Sequence, residues 1–354
     1  MNMSDNYENV ASENNKATLR KFQEEVFNQH DWRIETLEKY LTSDFVDHTA
    51  GPKAEPGIQG VAHRLERWSS AFSQAYKENY AVLGEGDMVA TLCYMHAKHT
   101  GPFMGIEATN RQVMIPAIEI LRFKNGKISD FWSIYDYLST AAEIGARIKM
   151  QPLAADQVNT EDASQEVYPG FGPDDRHGIP INVINVGETS DRVARNKAAL
   201  FRFQIEVFNG QDWRVETLAK HLTSDFIDHA ASPRDLPGLE GVQSRFSAWQ
   251  SAFFAAREEN LAIVGEGEML AVLYDLHAQH GGEFMGIPAT NKPVVIPGIE
   301  FLRFEDGKIA EHWGIYDFIS TADAIGAKLE FVPRTPGDES GRRSVYSQTG
   351  NVPS

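Results

Sequence analysis

Apolar positions recur with helical spacing in the opening part of the chain and with strand spacing after it. In residues 19–27, Leu19, Phe22, Val26 and Phe27 form a stripe at helical intervals. A short helix is predicted from near Trp32 through Leu37. A third runs from Gly60 to about Tyr76, with Val61, Leu65, Trp68 and Phe72 along one face. After Glu78 the pattern turns to strands. Residues 88–99, 112–123 and 127–137 are rich in β-formers, and Lys124-Asn125-Gly126-Lys127 predicts a tight hairpin. Helices followed by an antiparallel meander predict an α+β domain. Helices on one face of a strongly curved sheet leave a conical pocket between the layers.

The whole pattern then repeats. Residues 15–147 fall on residues 196–328 without a gap, an offset of 181, and more than half the positions match. Leu41-Thr42-Ser43-Asp44-Phe45-Val46-Asp47-His48 returns as Leu222-Thr223-Ser224-Asp225-Phe226-Ile227-Asp228-His229. Trp132-Ser133-Ile134-Tyr135-Asp136 returns as Trp313-Gly314-Ile315-Tyr316-Asp317. A unit of this length exceeds solenoid periods of ~20–50 residues and matches an independent domain. The expected layout is a domain over 15–149, a linker over 150–190, a second domain over 191–333 and a disordered tail over 334–354. Residues 1–14, mostly polar, are expected to be unstructured. Tyr168 and Phe171 in the linker have no assigned place.

The formal charge of −17 argues against nucleic acid and anionic membrane as partners, since both select clustered Lys and Arg. The single cysteine, Cys93, excludes an internal disulfide. Tyr274 stands at its equivalent position, which points to a core filler. No apolar run approaches ~18 residues, and the polar start lacks a signal-peptide pattern. The expected location is cytoplasmic.

Candidate chemistry is repeated too. Asp136 and Asp317 each end an apolar strand, where alternation puts Trp132, Ile134 and Asp136 on one face. If that is the inner face, burial raises the carboxyl pKa and suits it to proton transfer. The equal alternative is that each Asp caps the following helix. Glu119 and Glu300 lie mid-strand between apolar neighbours, and must face solvent or a polar cavity. His96 and His99, with His277 and His280, are spaced so that the members of each pair fall on opposite faces; they cannot chelate one ion together, and no complete metal-ligand set is visible. His48 and His229 either order the following loop or sit at a pocket rim. Trp68, Trp249, Trp132 and Trp313 are core aromatics or pocket walls. The apolar loop Phe103-Met104-Gly105-Ile106, with Phe284 opening its copy, reads as a lid or a contact.

These segments, together with Arg122-Phe123-Lys124-Asn125-Gly126-Lys127-Ile128 and its copy Arg303-Phe304-Glu305-Asp306-Gly307-Lys308-Ile309, resemble the SnoaL-like polyketide cyclases. That family belongs to the NTF2-like, or ketosteroid-isomerase-like, cone-shaped α+β barrels. The resemblance covers both repeats and omits linker and tails. It implies acid/base catalysis by an Asp in Trp-x-x-x-Asp, here Asp136 and Asp317, in an intramolecular aldol closure without metal or organic cofactor. Two features depart from the family: the helix ends Ala141-Ala142-Glu143-Ile144-Gly145 and Ala322-Asp323-Ala324-Ile325-Gly326, and the fusion of two copies in place of a single-domain homodimer.

The resulting expectation is two tandem cones, an internal pseudo-dimer packed sheet to sheet and open to further homo-oligomerisation. Each acts on a small, mostly apolar carbonyl compound. Asp136 and Asp317 move the proton, with His99 and His280 beside them. Glu119, Glu300, His96, His277, His48, His229, the four tryptophans, Phe103 and Phe284 hold the substrate. The competing readings are a non-catalytic binding protein and an epoxide or ester hydrolase.

Overall fold

The computed structural model describes residues 3–50, 54–153, 191–231 and 235–334. The expected linker and tail lie almost wholly outside these residues. The chain divides into two compact units, which part at Arg147 and Ile148; Phe331 near the far end belongs with the first unit.

In the first unit a helix (α1, Met3–Phe22) leads into a π-helical turn (Gln23–Asn28) and two further helices (α2, Ile34–Tyr40; α3, Gly57–Ala71). Five strands follow the order β1 (Leu41–Asp47), β5 (Lys127–Tyr135), β4 (Gln112–Lys124), β3 (Met88–His99), β2 (Phe72–Glu85). β1 runs parallel to β5 and every other pairing is antiparallel. A short helix (α4, Tyr137–Glu143) follows β5. In the second unit five strands, β6 (Leu222–Asp228), β7 (Phe253–Glu266), β8 (Met269–His280), β9 (Pro293–Glu305) and β10 (Lys308–Tyr316), repeat the same order, with helices α5 (Arg192–Phe203), α6 (Val215–His221), α7 (Gly238–Ala252) and α8 (Phe318–Ala324) at the equivalent places. This is an α+β architecture in two repeated halves.

Three strands and the hairpin stand where the pattern put them. Asn125 and Gly126 both take positive φ, as do Asp306 and Gly307, the backbone a two-residue primed turn requires. Two expectations are corrected, and one strand was not foreseen. α1 begins at Met3, ahead of the unstructured start expected, and it packs closely on β2: a Cβ on Gly84 would meet the Ser12 hydroxyl at 2.2 Å. Helix α3 stops at Ala71, so Phe72 belongs to a strand. β1 carries too mixed a pattern to be read as a strand, with only Leu41 and Phe45 buried. β2 bulges between Ser73 and Tyr76, with Gln74 at φ 54°; Ala255 repeats this in β7. Such bulges bend and twist a strand.

Candidate active site

The first unit holds a cavity of about 270 Å³ between helices and sheet. Its walls are mainly apolar: Phe22, Phe27, Leu65, Trp68, Met95, Phe103 and Ile115 contribute. Its polar groups are Asp47, Thr49, Arg64, Ser133, Tyr135, Tyr137 and Thr140. Arg64 donates to Asp47 across 2.6 Å, and the backbone N–H of Thr49 donates to the other oxygen at 3.0 Å. An apolar recess with a few fixed polar groups is the usual form of a small-molecule site.

On β5 the cavity side carries Phe131, Ser133 and Tyr135. Trp132 and Ile134 therefore face the other way, against the reading that put them inside with Asp136. Asp136 is absent from the lining and caps α4: its carboxylate accepts from the backbone N–H of Ser139 at 2.9 Å and from the Ser139 hydroxyl. Burial pushes its pKa up, against the lowering effect of those hydrogen bonds. Asp317 caps α8 likewise, accepting from the N–H groups of Ile319 and Ser320 at 3.0 Å and from the Ser320 hydroxyl at 2.6 Å.

The histidines are dispersed. His99 and His280 are buried, hydrogen-bonded through Nδ1 to Thr109 and Thr290 at 3.0 Å, and held below the usual histidine pKa by desolvation. His96 pairs with Glu78 at 2.9 Å and stacks on Tyr76; His277 pairs with Glu259 at 3.0 Å. His48 stacks on Trp132 and bonds Asp130 at 3.0 Å, as His229 stacks on Trp313 and bonds Glu311 at 2.8 Å. These four therefore belong to the sheet's other face with Trp132 and Trp313. Of the expected binding residues, Trp68 and Phe103 reach the cavity. Trp249 and Phe284 pack on the second unit's core.

Glu119 and Glu300 occupy equivalent positions in different surroundings. Glu119 is paired with Lys77 at 2.5 Å, and both side chains are 1% exposed. The Lys77 ammonium also lies 3.9 Å from the centre of the Phe27 ring. In the second unit Glu258 replaces Lys77, and His312 replaces Phe131. His312 donates through Nδ1 to Asp228 at 3.0 Å and bonds Glu300 through Nε2 at 3.2 Å. Burial pulls the imidazole pKa down, but the two carboxylates outweigh it and hold it up at about 10. Burial alone would raise Asp228; His312 and Arg245 instead draw it down to about 2. Glu258, bonded by Gln204 at 2.8 Å, is pushed well up by burial and by the charge on Glu300. Among the described residues no group of His, Cys, Asp and Glu has the arrangement of a metal site, and no helix is long and apolar enough to cross a membrane.

The SnoaL-like polyketide cyclase family model matches residues 17–144 and again 198–325. The chain belongs to this family. Nogalonic acid methyl ester cyclase of Streptomyces nogalater is 24% identical over 115 residues, covering 32% of this chain and 86% of that protein. Aklanonic acid methyl ester cyclase DauD of Streptomyces sp. (strain C5) is 24% identical over 131 residues, covering 36% and 80%. Among solved structures, a SnoaL-like polyketide cyclase (putative in its name) from Jannaschia sp. CCS1 is 20% identical, covers 39% of this chain and 96% of its own, and has a TM-score of 0.35. The family and these distant cyclases support a cyclase/isomerase-type role.

Proposed function

We propose that this SnoaL-like protein is an acid/base enzyme that closes a ring within a mostly apolar carbonyl compound of polyketide type. The observation that carries the reading is the family match over both repeats, with two methyl ester cyclases among the relatives; the apolar cavity of the first repeat supports it as a recess for a small apolar molecule. The chemistry needs a group to take a proton from the carbon beside a carbonyl. The resulting enolate carbon then forms a bond to a second carbonyl carbon, whose oxygen takes up a proton. No atoms are gained or lost. Such a step requires only an acid/base pair and donors fixed around the developing oxyanion.

Asp136 and Asp317 are occupied as helix caps, so this reading does not route the proton through them. The competing reading, a binding protein without chemistry, is favoured for the first repeat by its sealed Lys77–Glu119 pair. The test is incubation of the purified chain with nogalonic and aklanonic acid methyl esters, followed by chromatography with mass detection. The reading predicts a product of unchanged mass and altered retention. Binding of either ester with no such product would refute it.

A further inference from the structure

We infer that the two repeats have divided their labour: the second carries proton transfer at Glu258 and Glu300, with His312 and Asp228 as positioning residues, and the first is a binding cavity. This deepens the acid/base reading above and rests on it. The inference starts from a set of differences between otherwise matching halves. At four positions on the inner face of the sheet, Lys77, Cys93, Phe131 and Ser133 give way to Glu258, Tyr274, His312 and Gly314.

These changes depend on one another. Replacing Lys77 by Glu258 leaves the carboxylate of Glu300 without its ammonium partner, and a buried carboxylate needs one. His312 supplies it from the neighbouring strand. The imidazole fits because Gly314 has no side chain: a Cβ there would lie 2.6 Å from the His312 Nε2. Tyr274 fits by the same device, since a Cβ on Gly298 would lie 2.5 Å from its hydroxyl oxygen. The hydroxyls of Tyr274 and Tyr316 are hydrogen-bonded to each other, and both lie within the field of Glu258 and Glu300.

Access separates the halves further. Lys77 and Glu119 are 1% exposed, a closed pair with no path for a substrate proton. Glu300 and His312 remain 12% and 16% exposed although they lie deep in the unit. Two nearby buried carboxyls cannot both ionise cheaply. Burial and the neighbouring Glu300 carboxylate push the Glu258 pKa well up and favour its protonated form, while Glu300 is bonded by the His312 ring at 3.2 Å. That is a donor and an acceptor on two strands that flank the strand Met269–His280, with two phenols beside them for a substrate oxygen. In this arrangement Glu300 breaks the C–H bond and keeps the proton, and Glu258 gives its proton to the oxygen.

The test separates proton transfer from ring closure. The full chain is incubated with 1-tetralone, an aromatic ketone, in deuterium oxide, and wash-in at the carbon beside the carbonyl is read by mass spectrometry. The wild type should exchange above background. Glu258→Gln and Glu300→Gln should each lower the rate roughly 10²-fold or more. Glu258→Lys with His312→Phe installs the first repeat's own arrangement, so it should fold, still bind the ketone and lose exchange. His312→Asn should lower the rate and move the pH profile. Lys77→Met with Glu119→Met should leave exchange unchanged. No wash-in by the wild type, or wash-in insensitive to the second-repeat changes, overturns the inference. Wash-in without any cyclised ester leaves it standing and overturns the ring-closure reading instead.

Discussion

Removing one partner of the Lys77–Glu119 pair should damage the first unit far more than removing both. The ammonium and carboxylate lie 2.5 Å apart, each 1% exposed, and among the described residues no second cation is bonded to Glu119. Lys77→Met strands a carboxylate in an apolar wall. Breaking a buried pair from one side costs about 3–5 kcal/mol, whereas replacing both members by apolar groups of similar volume is often neutral or stabilising. Lys77→Met with Glu119→Met should therefore recover most of what the single change loses. The single variant's deficit should also shrink as pH falls, because the stranded Glu119 escapes its penalty by taking a proton. The assay is urea unfolding read by hydrogen exchange on peptides from β2 and β4, which follows the first unit alone. If Lys77→Met is no worse than the double variant, the pair is hydrated and the sealed-pair argument fails.

Further outcomes follow from the second unit's charges. His312 is held up at about 10 by Asp228 and Glu300, with Arg245, Glu258, Tyr274 and Tyr316 around it. A raised histidine pKa contributes stability that is complete below about 6.5 and lost as pH rises toward 10. Glu258, and Asp275 raised by burial to about 6, act in the same direction, since their folded forms also hold protons more tightly. The second unit should thus weaken between pH 6 and 9, by up to a few kcal/mol, and His312→Phe should flatten that slope. Limited proteolysis in urea at the two pH values reads it. Nitrogen NMR should show the His312 ring titrating near 10, and a midpoint near the unperturbed value of about 6.5 would contradict the assigned contacts. Gly314→Ala should displace the imidazole and lower that midpoint. Asp317→Ala should cost roughly 1 kcal/mol as a lost cap, and Asp317→Asn much less.

The duplication, three of the five sheet strands and the β4–β5 hairpin were legible in the chain, because length, alternation and an Asn-Gly turn are local signals. The cap roles of Asp136 and Asp317 were legible as one of two readings. The choice between them depended on which face of β5 looks inward. Alternation could not decide this: Phe131 and Tyr135 are as apolar as Trp132 and Ile134, since the strand is covered on both faces. β1 was missed because only two of its seven residues are buried. The Asp47–Arg64 pair joins a strand to a helix 17 residues on, a separation with no periodic signature. His312 and Tyr274 were visible as differences between the repeats. Their meaning needed Glu258 and the vacancies at Gly298 and Gly314, which only the paired strands bring together.

The central claim, that ring-closing acid/base chemistry resides in the second repeat, is tested most directly by turnover of nogalonic acid methyl ester by the wild type and by the Glu258→Lys, His312→Phe variant. The account predicts an isomeric product from the wild type and at least a roughly 10²-fold slower rate from the folded variant. Wild-type turnover that survives in the variant, or tight binding of the ester with no conversion by either protein, would contradict it.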